Sequence, residues 1–236
     1  MKQLHLFIDL DDTLLDFQAS QVAAFEDLCH HLGVTFTPSL FQDFKSYNEE
    51  LWRSLEKGQL KKETLIARRF PDFFAARGIN LDPNVDYDAY FRHRLSHHPI
   101  LVPYAKDLLD WFVDQDHYLY VASNGISQTQ FERLEAAGLM HYFDQFFISG
   151  DLGYEKPHPE FFLQAFSQID NFELKKAVFI GDSISSDMRG AQGIGMTKIW
   201  FNRNQLPLDD PQLYIDFQVS DLLEIKAIID TLSSLN

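Results

Sequence analysis

Short runs of almost unbroken apolar residues constrain this chain more than any other feature. Four are clear, Leu4–Ile8 (LHLFI), Tyr118–Ala122 (YLYVA), Ala177–Ile180 (AVFI) and Thr197–Phe201 (TKIWF), and a fifth lies at Gln145–Ile148. A strand without polar alternation is one covered on both faces, as in a parallel sheet between two layers of helices. Helical patterns separate the runs, at Ala105–Val113, Ser127–Ala137, Pro159–Gln168, Ser183–Gly190 and Ser220–Leu232. Strand alternating with helix predicts an α/β fold built on a doubly wound parallel sheet.

The interval between the first run and the second breaks this rhythm, with helical periodicity and no convincing strand. Gln18–Leu32 is amphipathic and stops at Gly33. Thr37-Pro38 opens another helix, with threonine as cap and proline in the first helical position. That helix carries Phe44, Tyr47, Leu51 and Leu55 on one stripe and ends near Gly58. Two further stretches follow, Thr64–Arg77, interrupted by Pro71, and Tyr87–Leu95, before Pro99 and Pro103 mark the return. The expected organisation is an α/β sheet domain of residues 1–15 and 99–236 with an all-helical domain, 16–98, inserted after the first strand.

Composition narrows the partners. Twenty basic against thirty-five acidic side chains give a net charge of −15, which repels nucleic-acid polymers and anionic membranes. Cys29 is the single cysteine, so neither an intrachain disulfide nor a cysteine metal site is available. The N-terminal apolar segment is too short for a secretion signal and runs straight into acids, and no stretch is long enough to span a bilayer. A cytoplasmic protein, monomer or homodimer, acting on a small molecule is the expectation.

Each of the main runs ends in polar chemistry. The first leads into Asp9-Leu10-Asp11-Asp12-Thr13, the second into Ser123-Asn124-Gly125, and the third into Gly181-Asp182-Ser183-Ile184-Ser185-Ser186-Asp187. Ligands of open α/β sheets bind beyond the carboxyl ends of the strands, so these loops should converge. A fourth segment, Gly153-Tyr154-Glu155-Lys156-Pro157, keeps Lys156 in extended backbone ahead of a proline. Convergence places Asp9, Asp11, Asp182 and Asp187 together, and four carboxylates cannot share one spot without cations. A hard divalent ion with oxygen ligands, magnesium first among them, and Lys156 supply the positive charge.

Such a site suits phosphate chemistry. A carboxylate can attack phosphorus to form an aspartyl-phosphate, a second carboxylate two residues on can move the protons, and a serine hydroxyl with adjacent backbone N–H groups can bind phosphoryl oxygens. DLDDT, VASNG, EKP and GDSISSD, in that order, resemble the four motifs of the haloacid dehalogenase-like hydrolase superfamily, with its helical cap after the first motif. The resemblance implies Asp9 as nucleophile and Asp11 as general acid/base. It implies magnesium held by Asp9, the main-chain carbonyl of Asp11 and Asp182, with Asp187 contacting the metal directly or through water. Ser123 would bind phosphate, with Asn124 and Gly125 beside it, and Lys156 would neutralise nucleophile and phosphoryl group.

LLDFQAS, SNGISQTQFERLEAAGL and GDLGYEKPHPEFF also resemble the bacterial pyrimidine 5′-nucleotidase subgroup, which implies a nucleoside 5′-monophosphate as substrate. Competing readings are a phosphosugar phosphatase or mutase of the same fold, and a non-catalytic module that retains it. A haloacid dehalogenase proper is disfavoured because it normally lacks a counterpart of Asp11. The helical insert is expected to close over the sheet domain and select substrate, hinging near Asp16–Phe17 and His98–Pro103. Other conspicuous residues read as structural: Asp12 and Thr13 as loop supports, His97, His98 and His158 as surface or linker groups, Tyr47 as insert core, and Lys61, Lys62, Arg68 and Arg69 as a solvated helical face. Asn124 is either a turn former or a polar contact to phosphate or a neighbouring catalytic group. Trp52 and Tyr47 remain candidates for stacking on a base.

Overall fold

The computed structural model describes residues 4–235. Among these, six strands form one sheet: β1 (His5–Ile8), β2 (Tyr118–Ser123), β3 (Gln145–Ile148), β4 (Ala177–Gly181), β5 (Thr197–Phe201) and β6 (Phe217–Val219). Their spatial order is β3-β2-β1-β4-β5-β6, with every neighbouring pair parallel. The expected doubly wound parallel sheet is therefore present. The short β6 was not foreseen, because the three residues FQV carry too little periodicity to be distinguished from loop.

The order reverses between β1 and its two neighbours, which creates a crevice at the carboxyl ends of β1, β2 and β4. Register makes that crevice precise in position, since Ile8 lies beside Val121 on one side and Ile180 on the other. The N–H of Asp9 continues the ladder to the Ile180 carbonyl at 2.9 Å. Residues immediately beyond these positions emerge side by side.

Two units cluster separately, Met1–Phe17 with Pro99–Asn236, and Gln18–His98. The second contains α1 (Phe17–His31, whose first residue belongs to the sheet unit), α2 (Pro38–Glu56), α3 (Lys62–Ala75) and α4 (Tyr87–His97). The side chain of Thr37 caps α2 by accepting the Leu40 N–H at 3.1 Å. Its core is aromatic: the Phe25 and Phe44 rings stack at 4.4 Å, and Phe44 packs on Phe70 at 5.2 Å. Tyr47 leans on Phe73 at 5.8 Å, consistent with a core role.

Two expectations fail in this unit. Pro71 does not interrupt α3, which runs through it from Lys62 to Ala75. Proline removes one helical hydrogen bond, but burial of Phe70, Phe73 and Phe74 around it, about 1.5–3 kcal/mol for each ring, outweighs that loss. Arg69 is not solvated. It is buried, its Nε 2.7 Å from Asp88 and its Nη1 donating to Asn48 Oδ1 at 3.1 Å, with the Phe70 and Phe91 rings against the guanidinium. Arg68, one residue away, does pair with Asp72 in solvent.

The sheet unit adds α5 (Ala105–Asp114), α6 (Ser127–Ala137), α7 (Ser149–Leu152), α8 (Pro159–Phe166), α9 (Arg189–Gly193) and α10 (Glu224–Leu235). Strand side chains alternate between two cores. Leu6, Ile8, Val121, Ile180 and Ile199 join an aliphatic layer with Leu108, Phe112 and Ile225. Phe7, Tyr120, Phe147, Phe179 and Trp200 face an aromatic layer with Phe161 and Phe162. Both faces are covered, as the unbroken apolar runs require. No helix among the described residues is long and apolar enough to cross a membrane.

Candidate active site

After β1 the chain curls tightly. The Leu10 carbonyl accepts the N–H groups of Leu14 at 2.9 Å and Leu15 at 2.8 Å, while the Asp12 N–H reaches the Leu15 carbonyl at 2.7 Å. Asp12 takes a left-handed backbone, φ 59°, which aspartate tolerates better than most residues. Leu10, Leu14 and Leu15 are wholly buried beneath the curl, so the acids between them are held by core packing.

Lys156 organises the centre. It is 1% exposed, and its ammonium donates to Asp9 Oδ1 at 2.7 Å, Asp187 Oδ1 at 2.7 Å and the Ala122 carbonyl at 2.6 Å. Asn124 fixes the lysine backbone from both sides: Asn124 Oδ1 accepts the Lys156 N–H at 2.7 Å, and Asn124 Nδ2 donates to the Lys156 carbonyl at 2.8 Å. The Asn124 side chain thus spends both ends of its amide on the Lys156 main chain.

Asp187 is wholly buried and fully engaged. Oδ1 accepts from Lys156 and, at 3.3 Å, from Ser186 Oγ, while Oδ2 accepts the Ser183 N–H at 3.1 Å. A β-carbon at Gly181 would overlap this carboxylate, so glycine ends β4. Asp182 differs. Its carboxylate accepts only a long 3.4 Å bond from Thr13 Oγ1 and makes no ion pair among the described residues. Its main-chain carbonyl accepts the Trp200 indole N–H at 2.8 Å.

Carboxylate oxygens of Asp9, Asp182 and Asp187 lie within 4.8 Å of one another. Burial pushes the Asp9 carboxyl up to about 8, with repulsion from Asp187 and Asp11 adding to it and Lys156 opposing it. Burial, then Asp187, Asp9 and Asp12, also hold Asp182 well above the usual carboxylate range. Burial alone would lower Lys156, but Asp187 and Asp9 more than reverse that and raise it. One ammonium cannot neutralise three crowded carboxylates. The all-oxygen donor set and the uncompensated Asp182 fit a hard divalent cation.

Asp11 departs from this cluster. Its carboxylate faces α6, accepting from Arg133 Nη1 at 2.5 Å and Gln130 Nε2 at 2.9 Å. Gln130 also donates to Ser123 Oγ at 2.8 Å. The Gly125 N–H goes to Ser149 Oγ at 3.1 Å. Sequence reasoning missed Gln130, Arg133 and Trp200. The available signal was Gln130 and Arg133 one helical turn apart on the face that also buries Leu134 and Ala137. His97, His98 and His158 belong to no metal-competent group among the described residues; His158 instead caps α8.

Residues 6–201 match the family of haloacid dehalogenase-like hydrolases. The chain is 31% identical to the HAD-hydrolase YfnB of Bacillus subtilis over 95% of its own length and 94% of that protein's. It is 35% identical to the pyrimidine 5′-nucleotidase PynA of Streptococcus pneumoniae, covering 85% of this chain and 84% of that one. Against YjjG, a pyrimidine 5′-nucleotidase of Escherichia coli, identity is 29% over 86% and 87%. The crystal structure of Bacillus subtilis YfnB bound to magnesium superimposes with a TM-score of 0.90 at 30% identity, covering 98% of this chain and 100% of that one. With the parallel sheet, the strand-end acids and these relatives in agreement, the chain belongs to the haloacid dehalogenase-like hydrolases.

Proposed function

We propose that the protein is a magnesium-dependent phosphomonoesterase working through an aspartyl-phosphate, with pyrimidine nucleoside 5′-monophosphates as its substrates. The observation that carries this reading is the Asp9 carboxylate at the end of β1, one oxygen held by Lys156 at 2.7 Å and uncompensated Asp182 alongside. Asp9, the main-chain carbonyl of Asp11 and Asp182 would hold magnesium. Asp187, with both oxygens already taken by protein donors, would contact it through water. When bound, the ion neutralises the carboxylates and the phosphoryl oxygens, so that anion can approach anion.

An Asp9 oxygen attacks phosphorus as the bond to the leaving oxygen breaks, and Asp11 gives that oxygen a proton. Water then attacks phosphorus, Asp11 takes its proton, and the Asp9–phosphate bond breaks to release inorganic phosphate. Lys156 holds Asp9 in place throughout, and Ser123 donates to a phosphoryl oxygen. The pyrimidine assignment is supported by similarity to PynA and YjjG.

Catalytic efficiency on uridine and thymidine monophosphates, beside purine nucleotides and hexose phosphates, tests it. Efficiency on a hexose phosphate about tenfold above every pyrimidine nucleotide, some 1.4 kcal/mol of discrimination the wrong way, would defeat the nucleotidase assignment. Full turnover in excess chelator would defeat the metal, and near-normal rates in Asp9→Asn the covalent step.

A further inference from the structure

We propose that Gln130, locked in orientation by Arg133, is a positioning residue that makes the Ser123 hydroxyl a phosphoryl donor and holds the Asp11 carboxylate beside it. This rests on the phosphatase reading and adds to it two residues of α6, one a neutral amide and the other a guanidinium paired with Asp11.

The argument is one of hydrogen-bond directions. An amide NH2 only donates, and the two hydrogens of Gln130 Nε2 go to Asp11 Oδ2 at 2.9 Å and Ser123 Oγ at 2.8 Å. The amide oxygen accepts from Arg133 Nη1 at 2.8 Å. That last bond excludes the flipped amide, which would set its NH2 against the guanidinium and its oxygen against the Asp11 carboxylate. Arg133 Nη1 also reaches Asp11 Oδ1 at 2.5 Å, so guanidinium, amide and carboxylate close a ring.

The consequence falls on Ser123. A hydroxyl has one hydrogen, and here its oxygen is already an acceptor of the Gln130 N–H. No acceptor among the described residues takes the Ser123 hydrogen, so it remains to be donated to a ligand oxygen. Without Gln130 the hydroxyl could turn that hydrogen on the Asp11 carboxylate or another acceptor. Packing reinforces the arrangement. Gln130 is 2% and Arg133 1% exposed, with Phe17 covering the guanidinium at 5.3 Å. A β-carbon at Gly125 would lie 2.8 Å from Gln130 Cγ and 2.9 Å from Nε2, so glycine is what leaves room for the amide.

The test compares wild type with Gln130→Met and Gln130→Glu on a nucleoside 5′-monophosphate and on 4-nitrophenyl phosphate, with magnesium present. Loss of position should lower kcat by about 10–100-fold while KM changes little. The loss should be greater on the nucleotide, whose leaving oxygen needs the proton from Asp11, than on the activated aryl ester. Gln130→Glu keeps the side-chain volume and a partner for Arg133, so it covers failure of the methionine variant to fold. Its carboxylate cannot donate, and it should lose at least as much. In a Ser123→Ala background the cost of Gln130→Met on the aryl ester should shrink to within about twofold, because the two act as a unit. A purely structural role predicts lowered melting temperatures, equal loss on both esters and full additivity with Ser123→Ala. That pattern, or kcat within about twofold of wild type on both esters, overturns the inference alone. Absence of wild-type turnover on both esters overturns the phosphatase reading and the inference with it.

Discussion

Lys156→Met removes the ammonium from the centre of the carboxylate cluster while keeping the unbranched side chain up to the position of Cε. It leaves two carboxylate oxygens, on Asp9 and Asp187, and the Ala122 carbonyl without the donor that lay 2.6–2.7 Å from each. Lys156 and Asp187 are essentially inaccessible to water, at 1% and 0% exposure, so solvent cannot replace the lost bonds. Removing one partner of such a buried pair costs about 3–5 kcal/mol, because the surviving charges are stranded. Against a total stability of about 5–15 kcal/mol that is a large fraction. Urea unfolding in chelator, followed by tryptophan fluorescence and circular dichroism, measures it. Lys175→Met is the control, since Lys175 pairs with Glu173 in solvent at 72% exposure and its loss should be close to neutral. Adding Asp187→Asn to Lys156→Met should recover part of the loss by removing one stranded charge. A Lys156→Met penalty no larger than that of Lys175→Met would refute the view that this lysine holds the acids together.

Three further outcomes follow from particular contacts. Gly181→Ala should destabilise by about 1–3 kcal/mol and depress turnover, because its β-carbon displaces Asp187, whereas Gly193→Ala, with nothing within 4 Å, should be neutral or stabilising; equal denaturation midpoints would contradict this. Burial pushes the Cys29 thiol up to about 11, so a thiol reagent at neutral pH should label the native protein only as fast as it unfolds, and rapid native labelling would refute it. Burial, the largest single effect, raises Asp27, but the hydrogen bonds and charges of His98 and Arg94 together outweigh it and lower the carboxyl overall, so its bonds stabilise the fold above the ordinary carboxylate pKa and are lost as pH falls through the lower folded value. Asp27→Asn should therefore be less stable than wild type at pH 7 by about 0.5–1 kcal/mol, with the gap closing below about pH 4; a gap that widens in acid would reverse the sign.

The alternation of unbroken apolar runs with helical periodicity was enough to define a doubly wound parallel sheet, because a strand hidden on both faces has no polar positions to spare. Polar residues placed directly after such strands likewise announced the crevice, since a parallel sheet presents all its carboxyl ends on one side. Asp9, Asp182 and Asp187 were legible for that reason, and the structure brings them together, whereas Asp11, expected with them, turns to α6, and Lys156 enters from the extended segment ahead of α8. What the sequence could not reveal is how charge is distributed within the cluster. Asp187 reads like Asp182 in the string GDSISSD, yet one is sealed against Lys156 and the other is left without a cation, because only the turn after β4 decides which carboxylate points into the protein. Arg69 reads like Arg68, and one of them is buried between phenylalanines because the turn of α3 puts it there. Gln130 and Arg133 look like the polar face of an ordinary helix until the fold brings α6 against the strand-end loops, where they hold Asp11 and orient Ser123. Local pattern determines which residues are strand, helix or strand-end loop. Which polar group meets which depends on helix rotation and sheet register, and those are set by packing between segments more than a hundred residues apart in the chain.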